Sequence, residues 1–218
     1  MTREYRQSVY MPPQGAADLL LIRHGESRAA RPGEAFPTVD GHGDPELHPN
    51  GEAQAHAVGE RLKSEPLEAI YVTTLRRTHQ TAAPLAAHLN LQPIVEPDLR
   101  EVFLGDWDTG EYRIRAAHGD PVIRRVHDMQ EWGEIPGAET TAQFHARVRS
   151  GLLRIAARHA DQRVAVFVHG GVIGAALAMA CGAQAFAFNG AHNGSISRLV
   201  IHGERMAVRG FNDISHLG

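Results

Sequence analysis

Arg23, His24, Gly25 and Glu26 follow directly on the apolar run Leu19-Leu20-Leu21-Ile22, so a guanidinium and an imidazole stand where a short buried strand would end. Gly25 lets the backbone turn sharply at that point. In open α/β sheets ligands bind beyond the carboxyl ends of the strands, and arginine's planar donor fork suits phosphate better than a lysine does. Arg23-His24 therefore reads as a phosphate site, against the plainer reading of a surface pair closing a strand. Two more strand-like runs end on related chemistry. Ala69-Ile70-Tyr71-Val72-Thr73 leads into Thr74-Leu75-Arg76-Arg77, and Val164 to Val168 delivers His169, then Gly170 and Gly171, whose bare amides at a helix start can hold an anion. A parallel sheet would bring Arg23, His24, Arg77 and His169 to one edge although they are far apart in sequence.

The elements that must position these residues alternate along the chain. Strand-like runs are separated by helical patterns, which indicates an α/β class with a mostly parallel sheet and helices on both faces. Ala55, Val58 and Leu62 share one face of a helix over 51–64, and Phe144, Val148, Leu152 and Ile155 share another. Thr140 and Gln143 have capping-box spacing and predict where that second helix starts. Ala82, Leu85 and Leu89 form a third stripe, with Pro84 implying a kink or a late start. Ser195 to Ile201 and Met206 to Phe211, joined by His202-Gly203-Glu204-Arg205, read as a hairpin at the sheet's edge. The segments 28–50 and 105–137 lack clean periodicity, and long irregular connections of that kind are assigned to the substrate side.

Composition narrows the function classes. At 218 residues the chain suits one domain, expected over 18–218, behind a loose arm over 1–17 that carries Arg3, Glu4, Arg6 and a Pro-Pro pair and has no membrane-spanning or signal-like stretch. With 22 basic against 25 acidic residues and no basic run, neither a nucleic-acid nor a membrane partner is indicated. Fourteen histidines and a single cysteine, Cys181, argue against a disulfide framework or a cysteine zinc site and fit the cytoplasm. His42, His48 and His56 are spaced suggestively for a metal, yet convergence cannot be read from spacing, and they are taken as surface residues.

Taken together, Leu21-Ile22-Arg23-His24-Gly25-Glu26-Ser27, Asn50-Gly51-Glu52-Ala53-Gln54-Ala55, Thr73-Thr74-Leu75-Arg76-Arg77 with Thr81-Ala82, Leu99-Arg100-Glu101 with Gly105 and Trp107, Pro136-Gly137-Ala138-Glu139-Thr140 and Val168-His169-Gly170-Gly171 resemble, in order, the histidine phosphatase superfamily, which includes the cofactor-dependent phosphoglycerate mutases. The resemblance implies a phosphoglycerate mutase-like three-layer sandwich and supplies the strand order, which periodicity does not. It implies His24 as a nucleophile forming phosphohistidine, His169 beside it, Arg23 and Arg77 on the phosphate, and Glu101 as general acid. Arg77 is preferred to Arg76, which is expected in solvent, because Arg77 stands four residues before Thr81. Glu101 competes with Glu26, Asp44, Asp106 and Glu139. Gly170 would offer an amide to phosphate, and Ser27 either does the same through its hydroxyl or closes a local turn. The scheme requires no metal and no cofactor, and the resemblance is compatible with a homodimer.

The departures from the family's mutases favour hydrolysis. Those mutases carry an aromatic residue and an asparagine where this chain has Ala29 and Ala30, and often an extended carboxyl-terminal tail, whereas this sequence stops soon after Phe211. His48 stands where the family usually has threonine or serine. The expectation is a phosphatase acting on a small phosphorylated metabolite, with a phosphoglycerate mutase and a catalytically silent phosphate-binding protein as the competing readings.

Overall fold

β1 (Ala17–Arg23) contains the apolar run of the opening motif, and both of its faces are covered. Strand alternation sends Leu19 and Leu21 into one hydrophobic cluster and Leu20 and Ile22 into another, which is why the run is apolar without interruption. Burying each such side chain contributes roughly 1.5–3 kcal/mol.

The computed structural model describes residues 4–218, so Met1 to Arg3 of the expected arm lie outside the described residues. After β1 come the short strands β2 (Thr38–Val39) and β3 (His42–Gly43), α1 (Pro49–Leu62), β4 (Leu67–Val72), α2 (Arg76–Leu89) and β5 (Ile94–Val95). The second half holds α3 (Glu111–Ala117), α4 (Pro121–Met129), α5 (Thr141–Arg158), β6 (Arg163–Val168), α6 (Gly170–Cys181), β7 (Ile196–His202) and β8 (Arg205–Asp213). None of these helices is long and apolar enough to cross a membrane.

The main sheet has the order β5-β4-β6-β1-β7-β8. β5, β4, β6 and β1 run parallel, and β7 and β8 add an antiparallel hairpin at one edge, as the sequence pattern implies. Val58 and Leu62 of α1 and Leu85 of α2 pack with Leu20 and Ile22 on one face, while Phe144, Val148 and Leu152 of α5 and Ile173 of α6 pack with Leu19 and Leu21 on the other. The result is the α/β sandwich of three layers. Because β1, β4 and β6 are parallel neighbours through β6, their carboxyl ends fall on one edge and deliver His24, Thr73 and His169 together. At the opposite end of β1 the buried Asp18 receives Arg163 and Arg198, each at 2.8 Å.

The capping box forms as the spacing predicts. Thr140 Oγ1 accepts from the Gln143 amide and Gln143 Oε1 from the Thr140 amide. α2 begins at Arg76 and runs through Pro84, so of the two outcomes expected there the late start does not occur. Pro84 packs directly on α1, where a Cβ on Gly59 would stand 2.9 Å from Pro84 Cβ. The aperiodic segments also hold more order than their sequence suggests, with the β2–β3 hairpin in the first and α3 and α4 in the second.

Candidate active site

The turn after β1 is built by backbone contact. A Cβ on Gly25 would collide with the backbone of Gly51, and one on Gly51 with the backbone of Glu26, so the first turn of α1 rests directly on the loop that carries His24. Thr81 ties this loop to α2: its Oγ1 accepts from the Gly25 amide at 3.0 Å and donates to the Arg77 carbonyl at 2.6 Å. That bridge explains the four-residue spacing of Arg77 and Thr81. Asn193 Nδ2 donates to the His24 carbonyl at 2.9 Å and fixes the loop from the other side.

His24 is buried, and its Nδ1 lies 2.7 Å from the Gly25 carbonyl, which can only accept, so Nδ1 carries the proton and Nε2 presents a lone pair. Burial, reinforced by Arg77 and Arg23, holds its pKa well below the ordinary imidazole range and keeps the ring neutral. Arg77 donates from Nε to His24 Nε2 at 3.2 Å and from a terminal nitrogen to the Gly43 carbonyl at 2.9 Å. Burial pushes the Arg77 guanidinium down to about 10, against the attraction of Glu101. Arg23 donates to the Ala191 carbonyl and lies against Gly170, where a Cβ would stand 3.3 Å from Arg23 Nε. His169 is fully buried, its ring centroid 5.2 Å from that of His24, and its Nε2 meets Thr73 Oγ1 at 3.0 Å. Burial and Arg77 lower its pKa as well. Arg23 Nε and His169 Nδ1 are buried with no hydrogen-bond partner among the described residues.

Of the five carboxylates weighed for the acid, Glu101 alone lines the cavity that holds both His24 and Arg77. Its two oxygens accept from the Val102 amide at 3.0 Å and the Gly171 amide at 3.2 Å, which fixes it against the start of α6. The others are used elsewhere. Asp44 is buried and pairs with the Arg76 amide and Nε at the head of α2, and Arg76 is exposed, as expected, while ion-paired there. Glu139 holds Arg147, Glu26 accepts from Asn50, and Asp106 is exposed.

Two residues of the site carry no signal in the sequence. Arg113, in α3, donates to Ser27 Oγ at 2.9 Å and to the Arg28 carbonyl at 3.0 Å, and stacks on Phe36. Burial, with Arg23 nearby, lowers its pKa. Ser27 thus serves as an acceptor for Arg113. His42, expected at the surface, is buried against Phe103 because the β2–β3 hairpin folds over the site. His48 caps α1 through Nδ1, and His56 is exposed as expected. The cavity over His24, about 400 Å³, is lined by residues of both aperiodic segments, among them Phe36, His42, Tyr112 and Trp132. A second hollow of about 580 Å³ meets the first at Arg23, His24 and Arg113.

The sequence model of the histidine phosphatase superfamily (branch 1) matches residues 19–214, from within β1 to just past β8. The chain belongs to the histidine phosphatase superfamily. A metal-independent phosphoserine phosphatase of Arabidopsis thaliana is 30% identical over 92% of this chain and 83% of its own length. Phosphoserine phosphatase 1 of Hydrogenobacter thermophilus is also 30% identical, over 92% of this chain and 94% of its own. Among solved structures, mycobacterial glucosyl-3-phosphoglycerate phosphatase superposes with a TM-score of 0.71 at 28% identity, over 90% of this chain and 99% of that one. This superfamily member is a phosphatase-type enzyme, and its α/β sandwich is the phosphoglycerate mutase-like fold, matched at a TM-score of 0.76 by a phosphoglycerate mutase of Bacillus anthracis.

Proposed function

We propose that the protein hydrolyses phosphomonoesters of small metabolites without a metal, through a phosphohistidine at Nε2 of His24. The observation that carries this reading is a neutral imidazole with a fixed Nδ1 proton, beside two buried nitrogens, the donor Arg23 Nε and His169 Nδ1, that no group in the described chain uses. Buried polar nitrogens without partners are costly, and a phosphoryl group is the acceptor that their convergence on His24 fits. Nε2 attacks phosphorus as the ester P–O bond breaks, and Glu101 gives its proton to the departing oxygen. Glu101 then takes a proton from water, whose oxygen attacks phosphorus and breaks the P–N bond, releasing phosphate and restoring the imidazole. Arg23, Arg77 and His169 offset charge on the equatorial oxygens, each such donor being worth on the order of 3 kcal/mol. Acid help to an alkoxide leaving group typically contributes roughly 100-fold or more. The relatives named as phosphatases support hydrolysis as the overall reaction.

The test is phosphate release from an aryl phosphate and a metabolite panel with chelator present, comparing wild type with His24→Ala, and an alkaline quench to trap acid-labile phosphoenzyme. Turnover and trapped label in wild type, both lost in the variant, are expected. An inactive wild type, a fully active variant, or production of 2-phosphoglycerate from 3-phosphoglycerate faster than phosphate release would each refute the reading.

A further inference from the structure

Beyond the phosphate end, the cavity over His24 has a marked chemical bias. Phe36, Val102, Leu104, Trp107, Tyr112 and Trp132 form its apolar wall, with Tyr112 edge-on to Trp132. Its Arg, Lys, Asp and Glu residues are Arg23, Arg77, Arg113, Glu101 and Asp108. All three guanidiniums are anchored at the phosphate end: Arg77 on His24, Arg23 against Gly170, and Arg113 on Ser27 and Arg28 of the loop that carries the nucleophile. Asp108 faces backbone amides, accepting from Gly43 at 2.5 Å and Leu104 at 2.7 Å. With Glu101 carrying the proton it gives to the leaving group, three guanidiniums against Asp108 leave two surplus positive charges, which a phosphate dianion uses up. A second carboxylate on the substrate would be a third negative charge against those two, and burying an unpaired charge is costly.

His42 adds a second, independent feature. Its Nδ1 lies 3.3 Å from the Asp40 carbonyl and carries the proton, and its Nε2 is buried with no partner among the described residues. Burial holds the ring below its ordinary range, opposed by Asp108 and aided by Arg100, so Nε2 is an acceptor in want of a donor.

From these two features we infer that the site takes monophosphate esters whose alcohol carries no further charge, presents a flat apolar face to the aromatic wall, and offers a hydroxyl or N–H to His42. The inference rests on the hydrolytic reading above and separates this chain's substrate from phosphoserine and the phosphoglycerates, which bear a carboxylate.

The experiment compares kcat/KM for 2-phenylethyl phosphate, its 3- and 4-hydroxyphenyl counterparts, O-phosphoserine and 3-phosphoglycerate. The uncharged esters are expected to exceed the carboxylated ones by at least about tenfold, with one hydroxylated ester best. In His42→Leu the advantage of the hydroxyl disappears while 2-phenylethyl phosphate is still turned over, and Leu104→Arg shifts the ratio toward O-phosphoserine. A preference for the carboxylated esters that is lost in Arg113→Met would show that Arg113 reads a carboxylate and would overturn the inference while leaving hydrolysis intact. Failure to hydrolyse any ester would instead defeat the hydrolytic reading itself.

Discussion

Arg77 Nε stands 3.2 Å from His24 Nε2 and donates to it, so the cation occupies the lone pair that the proposed chemistry needs. Substrate must exchange that hydrogen bond for one to a phosphoryl oxygen, which places the same donor on the charge that develops. Arg77→Lys keeps the charge but loses the planar fork and the simultaneous bond to Gly43. A drop of about 100-fold or more in kcat/KM is expected, with vanadate inhibition weakened in parallel. Steady-state kinetics of the variant that stayed within threefold of wild type would remove Arg77 from the clamp.

Glu101 is tested by leaving groups. Nitrophenolate departs without a proton, whereas an alkoxide does not, so Glu101→Gln should lower kcat for alkyl phosphates by roughly 100-fold and for nitrophenyl phosphate far less. Equal losses on both substrates count against the assignment.

The two buried imidazoles set a pH dependence. His24 and His169 have folded pKa values below the ordinary value, so between those values and about 6.5 the unfolded chain binds more protons than the folded one. Stability is therefore whole above about pH 6.5 and declines as pH falls below it. Melting scans should show Tm falling through that window, and His169→Asn should flatten the dependence. The turnover of molecules that remain folded should lack an acid limb near pH 6.5, because His24 is still neutral there; a kcat/KM profile that breaks at 6.5 in wild type argues otherwise.

Asp18 separates stability from activity. It lies at the far end of β1 from His24, about 20 Å away at the rise of a strand. It is buried while its partners Arg163 and Arg198 are partly exposed, so solvent screens part of each pair. Asp18→Asn is expected to cost about 2 kcal/mol and to lower Tm by roughly 4–8 °C, with kcat/KM within twofold of wild type. A catalytic defect in the folded variant would mean that the two ends of the strand are coupled.

The loop glycines act in the opposite sense. Gly51→Ala places a methyl against the Glu26 backbone, which has no flexible end to yield. Overpacking of this kind costs roughly 1–3 kcal/mol, and here the strain falls on the nucleophile's loop, so both Tm and kcat should fall. Unchanged kcat at lowered Tm would show that the loop relaxes away from His24.

Residues at or just beyond the ends of the parallel strands were readable from sequence, because a buried strand announces itself as an apolar run and its end is where a ligand must bind. Arg23, His24, Arg77 and His169 all belong to that class. Arg113 and His42 do not. Arg113 sits in a seven-residue helix with no buried residue of its own, and His42 in a two-residue strand, so neither element has enough length to display a period. Their places depend on chain packing across the site, through Gly110 of the α3 cap pressed on Phe36 and through Asp108 holding the Gly43 amide.

β1 is paired on one side by β6 and on the other by β7, through partners that reach Asp18 from 145 and 180 residues away. During synthesis the strand that bears His24 is made first and must wait, both edges open, until nearly the whole chain has emerged. Loop-closure entropy makes such distant pairings slow and leaves the early intermediate exposed to association through those edges. Catalysis is then a report on completed assembly: a nascent chain cut before Asn193 lacks both the donor that fixes the His24 carbonyl and the β7 pairing of β1, and recovered turnover after dilution from denaturant would time the arrival of β7 rather than the first collapse.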